Sequence, residues 1–119
     1  MTQSLEDYLE AVFVLTGGNR PAQVKDIARA IDVTMPSVVK AIRELGKLAL
    51  VEHKPYKGVT LTEKGVRLAR MVHGRHTLLR DFLVKLGVGL RTADRDACLM
   101  EHVVSAETLD RIRIYMESK

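Results

Sequence analysis

The chain has 119 residues, 46% of them hydrophobic and 4% aromatic, with 19 basic and 15 acidic side chains. That length allows one compact domain or two small subdomains, and no apolar run approaches the roughly 20 residues of a membrane-spanning helix. A single cysteine excludes an internal disulfide, and the acidic start MTQSLEDYLE excludes a secretory signal, so a cytoplasmic protein is expected. With two Phe, three Tyr and no Trp, the core must be filled by Leu, Val, Ile and Ala, which suits packed helices. Charge is unevenly spread. Residues 1–19 carry three acids and no base, whereas residues 20–62 carry eight bases against four acids. A phosphate-facing module would show such a basic excess, and so would many solvated surfaces.

In chain order, Leu5, Tyr8, Leu9, Val12 and Phe13 recur at helical spacing behind a candidate N-cap at Ser4 and before a stop at Gly17-Gly18. Val24, Ile27, Ala28 and Ile31 make a short amphipathic helix, followed by a tight connection at Asp32-Val33-Thr34. Thr34 caps a third helix reaching about Leu48, with Pro36 in its first turn and Val38, Ile42 and Leu45 facing inward. Leu50–His53 and Val59–Leu61 flank a Pro- and Gly-containing turn and form a hairpin. Thr62 caps a long helix from Glu63 to about Leu86, lined by Val66, Ala69, Val72, His76, Leu79 and Leu83. A fifth helix is expected from Thr92 through Val104, and a sixth from Ser105 toward Met116.

Helix, short helix, tight turn, helix and hairpin is the order of a winged helix-turn-helix. The fold class is therefore mainly α: a winged helix over residues 1–62, then a helical region over residues 63–119. In a winged helix the third helix enters the major groove. Its exposed start offers Thr34, Met35, Pro36, Ser37 and Lys40 to base edges and phosphates, and the hairpin tip offers Lys54, Tyr56 and Lys57 to the adjacent backbone. A helical core with an ordinary surface hairpin is the plainer alternative; four features in the right order at the right spacing weigh against it.

Cys98, Glu101 and His102 stand at i, i+3 and i+4 in the expected fifth helix, so a thiolate, a carboxylate and an imidazole share one face as a partial metal shell. Asp7 and Glu10 are also three apart, and His76 lies near the middle of the long helix. Structural roles compete at each place. Asp7 follows Ser4 by three and fits a capping box, Cys98 fits a small core residue, and His76 and its neighbour His73 fit hydrogen-bonded interior histidines. Spacing alone leaves these alternatives standing.

The run Ser4-Leu5-Glu6-Asp7-Tyr8-Leu9-Glu10, the stretch VEHKPYKGVTLTEKG, the element Arg75-His76-Thr77-Leu78-Leu79 and the segment Asp96 to Ser105 (DACLMEHVVS) resemble the diphtheria toxin repressor family. The likeness is closest to the manganese transport regulator branch. The last segment is similar to the family's D/E-A-C-x-x-E-H-V-x-S signature, and the likeness covers essentially the whole chain. It implies a homodimeric, metal-activated transcriptional repressor, not an enzyme, that binds double-stranded operator DNA and controls iron or manganese homeostasis. The cofactor implied is Fe(II) or Mn(II), held by Asp7, Glu10, His76, Cys98, Glu101 and His102. Asp7 and Glu10 match the manganese-type pattern and Cys98 the iron-type pattern, which tips the expectation slightly toward iron. Arg80 stands where relatives often place an acid, and a cation there would repel a metal unless it turns to a carboxylate such as Asp81. Asp94 stands where the iron-type branch has a further histidine. The chain stops at Lys119, so a short form without the extra carboxy-terminal domain is expected. A winged-helix regulator without metal control, or a small metalloenzyme using the same ligands, are the alternatives. Leu78, Phe82, Leu109, Ile112 and Met116 are too many apolar positions for one small core, so some are expected to meet a second copy of the chain.

Overall fold

In the computed structural model, residues 2–118 are described. The element order is α1 (Gln3–Thr16), α2 (Val24–Ala30), α3 (Met35–Lys47), β1 (Val51–Lys54), β2 (Gly58–Leu61), α4 (Glu63–Lys85), α5 (Leu90–Met100) and α6 (Ala106–Glu117). The chain divides into two units, one ending at Arg70 and the other starting at Met71, and the division falls inside α4. No helix among the described residues is long and apolar enough to cross a membrane.

In the first unit, α1 starts at Thr2, whose hydroxyl accepts from the Leu5 amide at 3.2 Å. The cap is thus Thr2 and not Ser4, which lies within the first turn. Either hydroxyl suits a cap, and starting at Thr2 satisfies two more residues' worth of helix. The change removes the capping-box role considered for Asp7. The α2–α3 connection is sharp because Asp32 takes a left-handed conformation (φ 55°), and the Val33 amide returns to the Ala28 carbonyl at 3.0 Å. Asp tolerates that conformation better than most residues. Thr34 caps α3 by accepting from the Ser37 amide at 3.3 Å. The apolar stripe of α3, with Val38, Ile42 and Leu45 fully or nearly fully buried, packs on Leu9, Val12 and Ile27 in one continuous core.

The wing is an antiparallel pair in register from Val51↔Leu61 to Lys54↔Gly58. It is tied to the rest of the unit by Ala22, which exchanges two backbone hydrogen bonds of 2.8 Å with Val59. Gly58 is required beside that bridge: its φ is +89°, and a Cβ would lie 2.8 Å from the Ala22 carbonyl oxygen. Gly65, in the first turn of α4, is required for a different reason. A Cβ there would stand 2.0 Å from the Leu50 carbonyl oxygen, because α4 begins directly on the α3–β1 connection. Thr62 holds that approach, donating from its hydroxyl to Ala49 at 2.7 Å and accepting from the Gly65 amide at 3.0 Å.

The second unit contains the rest of α4 with α5 and α6. Its apolar core is small: Leu79, Ala97 and Leu109, with Leu78, Met100, Val104 and Ile112 packed around them. Phe82 meets Tyr115 edge-on at 6.0 Å, which joins α6 to the end of α4. Leu78, Leu109 and Ile112, candidates for an intermolecular face by sequence, therefore find partners within the unit. The large apolar side chains left exposed are a different set that includes Leu99, Val103, Ile114 and Tyr115. The fifth helix also differs from its expected range. It begins at Leu90 behind Gly89 and ends at Met100, so Glu101 is its C-cap and His102 and Val103 lie in a turn.

Candidate metal centre and nucleic-acid interface

The first unit carries the candidate DNA-reading surface. Thr34, Met35, Pro36, Ser37 and Lys40 at the start of α3, and Lys54, Tyr56 and Lys57 in the wing, are all exposed. The Thr34 and Ser37 hydroxyls lie 2.9 Å apart in a shared hydrogen bond, so the cap that starts α3 also orients the hydroxyl of Ser37. Tyr56 stands wholly in solvent at the tip, with φ 64°. The Lys57 amide donating to the Lys54 carbonyl at 3.0 Å holds that turn. A left-handed tyrosine costs of order 1 kcal/mol that no burial offsets here. Between α3 and the wing lies a cleft of about 190 Å³ lined by Gln23, Val24, Lys25, Met35, His53, Tyr56 and Gly58. Gln23, Lys25 and His53 extend the candidate surface beyond the residues that sequence alone singled out. The Ala22–Val59 bridge brings Gln23 and Lys25 beside the wing, and no local pattern announces it.

The second unit holds a polar cluster built on α4 and the end of α5. Glu101 is 2% exposed. Facing its carboxylate are His76 Nδ1, 3.2 Å from Oε2, and His102 Nε2, 3.5 Å from Oε1. The other nitrogen of His76, Nε2, lies 2.7 Å from Asp94 Oδ1. His76 Nδ1 is buried and meets no hydrogen-bond geometry, although Glu101 Oε2 is so near. Burying a carboxylate is costly unless a compensating charge is supplied. The donors are one oxygen ligand and two imidazoles, a set that accepts a divalent transition metal.

The expected ligands divide as follows. Within the second unit, Glu101 pairs with His76 through Oε2 and with His102 through Oε1. Cys98 does not join them: no grouping of three ligand atoms within 4.8 Å of one another among the described residues includes its thiol. The expected fifth helix ran through Val104, whereas α5 ends at Met100 and His102 lies in the turn that follows. Cys98 itself is half-buried on α5. Asp7 and Glu10 sit one turn apart on α1 of the first unit, both half-buried. Arg80 turns to Asp81, with Nε donating to Oδ1 at 3.2 Å, which is the pairing its position calls for if a cation nearby is to be tolerated. Asp94, by sequence only a departure from the iron-type pattern, contacts His76. That contact spans 18 residues and leaves no local trace.

Comparison with known proteins covers both units. A model described as the iron dependent repressor N-terminal DNA-binding domain matches residues 1–59. A second, described as the iron dependent repressor metal binding and dimerisation domain, matches residues 62–118. An uncharacterised HTH-type transcriptional regulator of Methanocaldococcus jannaschii is 38% identical over 98% of this chain and 95% of its own length. The transcriptional regulator MntR of Escherichia coli is 38% identical over 95% of this chain and 73% of its own. Among solved structures, a manganese-dependent transcriptional repressor in complex with manganese superposes with a TM-score of 0.85 at 31% identity, over 95% of this chain and 52% of its own. IdeR of T. acidophilum gives 0.84 at 26% identity, over 94% of this chain and 53% of its own. This chain thus spans about half the length of those two crystallised chains.

Proposed function

The chain belongs to the iron-dependent repressor family of transcriptional regulators, and on that premise we propose that it is a homodimeric repressor whose operator binding is switched on by Fe(II) or Mn(II). The observation that carries the metal part is Glu101, buried between the imidazoles of His76 and His102. When bound, the ion supplies positive charge and directional coordination to a site whose ligands must be deprotonated. Glu101 holds a carboxylate away from water, and His76 and His102 present ring nitrogens on either side of it. Asp7 and Glu10, one turn apart on α1, complete the proposed ligand set with two carboxylates. The start of α3 reads base edges through Ser37 and Lys40, and the wing grips the backbone through Lys54, Tyr56 and Lys57. Occupancy of the proposed ligand set makes the spacing of the two reading heads in a dimer depend on metal, and one spacing alone matches successive major-groove faces.

Exposed Leu99, Val103, Ile114 and Tyr115 in the segment matched by the dimerisation model support the homodimer. Sedimentation of a monomer at micromolar concentration, with and without metal, would count against it. The choice of metal rests on Cys98. A thiolate ligand favours Fe(II) over Mn(II), whereas the donors that gather, a carboxylate and two imidazoles, serve both. A Co(II) complex with an intense near-ultraviolet thiolate band would place Cys98 among the ligands and favour iron; a tight complex without the band would favour manganese. The activity itself is tested by titrating the upstream region of the gene, metal-free and with Fe(II), Mn(II), Co(II) and Zn(II) in turn. Affinity is expected to rise with at least one of these ions, and equal affinity under all five conditions would overturn the proposal.

A further inference from the structure

His76 lies between two carboxylates of very different exposure. Asp94 has a side chain 57% exposed on α5, and Glu101 has one with no exposure at all. The contact to Asp94, Nε2 to Oδ1 at 2.7 Å, has the short length of a charge-assisted hydrogen bond. An ionised carboxylate only accepts, so the proton of that bond sits on Nε2. A neutral imidazole carries one N–H and one lone pair, and with Nε2 protonated the lone pair belongs to Nδ1. Nδ1 is the buried nitrogen 3.2 Å from Glu101 Oε2, and that approach lacks the geometry of a hydrogen bond. Were the proton on Nδ1, a carboxylate at this distance would be expected to take it in a well-formed bond.

We propose that Asp94 is a positioning residue: it holds His76 in the Nε2–H tautomer and turns the Nδ1 lone pair inward as a metal donor. The inference rests on the metal-dependent reading above and assigns Asp94 a part in the same centre. A histidine ligand whose second nitrogen is held by a carboxylate is fixed in both ring orientation and tautomer, and becomes the more basic for it. The same bond leaves Nε2 without a lone pair, so the outward side of His76 offers no ligand to a second ion. Arg80, engaged with Asp81, adds no ligand there either.

The test uses the full chain labelled with ¹⁵N. Long-range ¹H–¹⁵N correlation of the metal-free protein assigns the protonated nitrogen of His76, and calorimetry measures Co(II) affinity. Wild type is expected to show a protonated Nε2 and a bare Nδ1. Asp94→Ala is expected to give a mixture of tautomers and to weaken Co(II) binding by about tenfold to a hundredfold. Its metal-free melting temperature should stay put, because the side chain is largely in solvent. A wild-type ring protonated on Nδ1, alone or together with Nε2, overturns the proposal. So does an Asp94→Ala protein with an unchanged tautomer, even if its affinity falls, because the carboxylate would then act by charge alone. A wild type that binds no Co(II) overturns the metal reading of the previous section instead. The ring tautomer, read without metal, then decides by itself whether Asp94 holds His76.

Discussion

The two units solve the problem of stability differently. The first buries a continuous apolar core, from Leu9 and Val12 through Ile27, Val38, Ile42 and Leu45 to Val59, and its exposed basic side chains stand on a scaffold that is complete in itself. The second has a smaller apolar cluster of Leu79, Ala97 and Leu109, with Val72 and Ala93 also buried. Beside that cluster it buries a histidine and a glutamate, and it leaves Leu99, Val103, Ile114 and Tyr115 in solvent. A unit with a full apolar core can be rigid without help. A unit that sequesters a carboxylate and exposes an apolar face gains stability when something neutralises the one and covers the other.

The contrast should be plainest in the largest effect. Leu45→Ala, which empties part of the first core, is expected to cost about 2–5 kcal/mol of stability. The loss should be the same with and without metal, as measured by denaturant unfolding. A loss that metal restores in full would mean that the first unit does not stand alone.

Next is Glu101→Gln, which keeps the shape and removes the charge. Wild type at a hundredfold excess of an activating metal over its dissociation constant should gain roughly 2.7 kcal/mol. The variant should lose most of that gain while keeping its ability to bind random DNA. Thermal melts with and without Mn(II) check it, and an undiminished metal-induced shift would remove Glu101 from the site. In wild type the gain should also shrink in acid, where protons compete with metal for the same ligands.

Gly58→Ala comes third. It forces a side chain against the Ala22 carbonyl at a φ that L-residues avoid, a cost of order 1–3 kcal/mol. Because the strain falls on the bridge that seats the wing, operator affinity should drop while the stability increment from metal survives. Unaltered operator affinity would show that the wing contributes nothing to binding.

Smallest is Lys57→Ala, which should weaken operator and random DNA alike and reduce the salt dependence of binding by about one phosphate contact. Ser37→Ala, by contrast, should reduce discrimination between the two more than affinity. A salt slope identical to wild type for Lys57→Ala would move the phosphate contact elsewhere, with Lys25 and His53 in the neighbouring cleft as the next residues to test.

Much of the fold was legible because periodic burial and local capping are written in neighbouring residues. The stripe of α3, the cap at Thr34 and the wing with its turn are all short-range patterns. Thr34, Thr62 and Ser105 act as the caps their positions suggest. Two readings failed where local patterns compete. Thr2 and Ser4 are both good caps, and the chain uses the first. The fifth helix was extended through Glu101 and His102 because their spacing suits a helix, whereas the backbone leaves the helix at Met100.

By itself the sequence determined the class of fold, the order of its elements, the basic reading face and the types of ligand available, since each depends on residues near one another in the chain. Tertiary structure alone decided which side chains share a centre. His76 meets Glu101, 25 positions further along the chain, and Asp94, 18 positions further along. Neither distance follows from helical periodicity, because both depend on how α5 packs back on α4 through Leu79, Ala97 and Leu109.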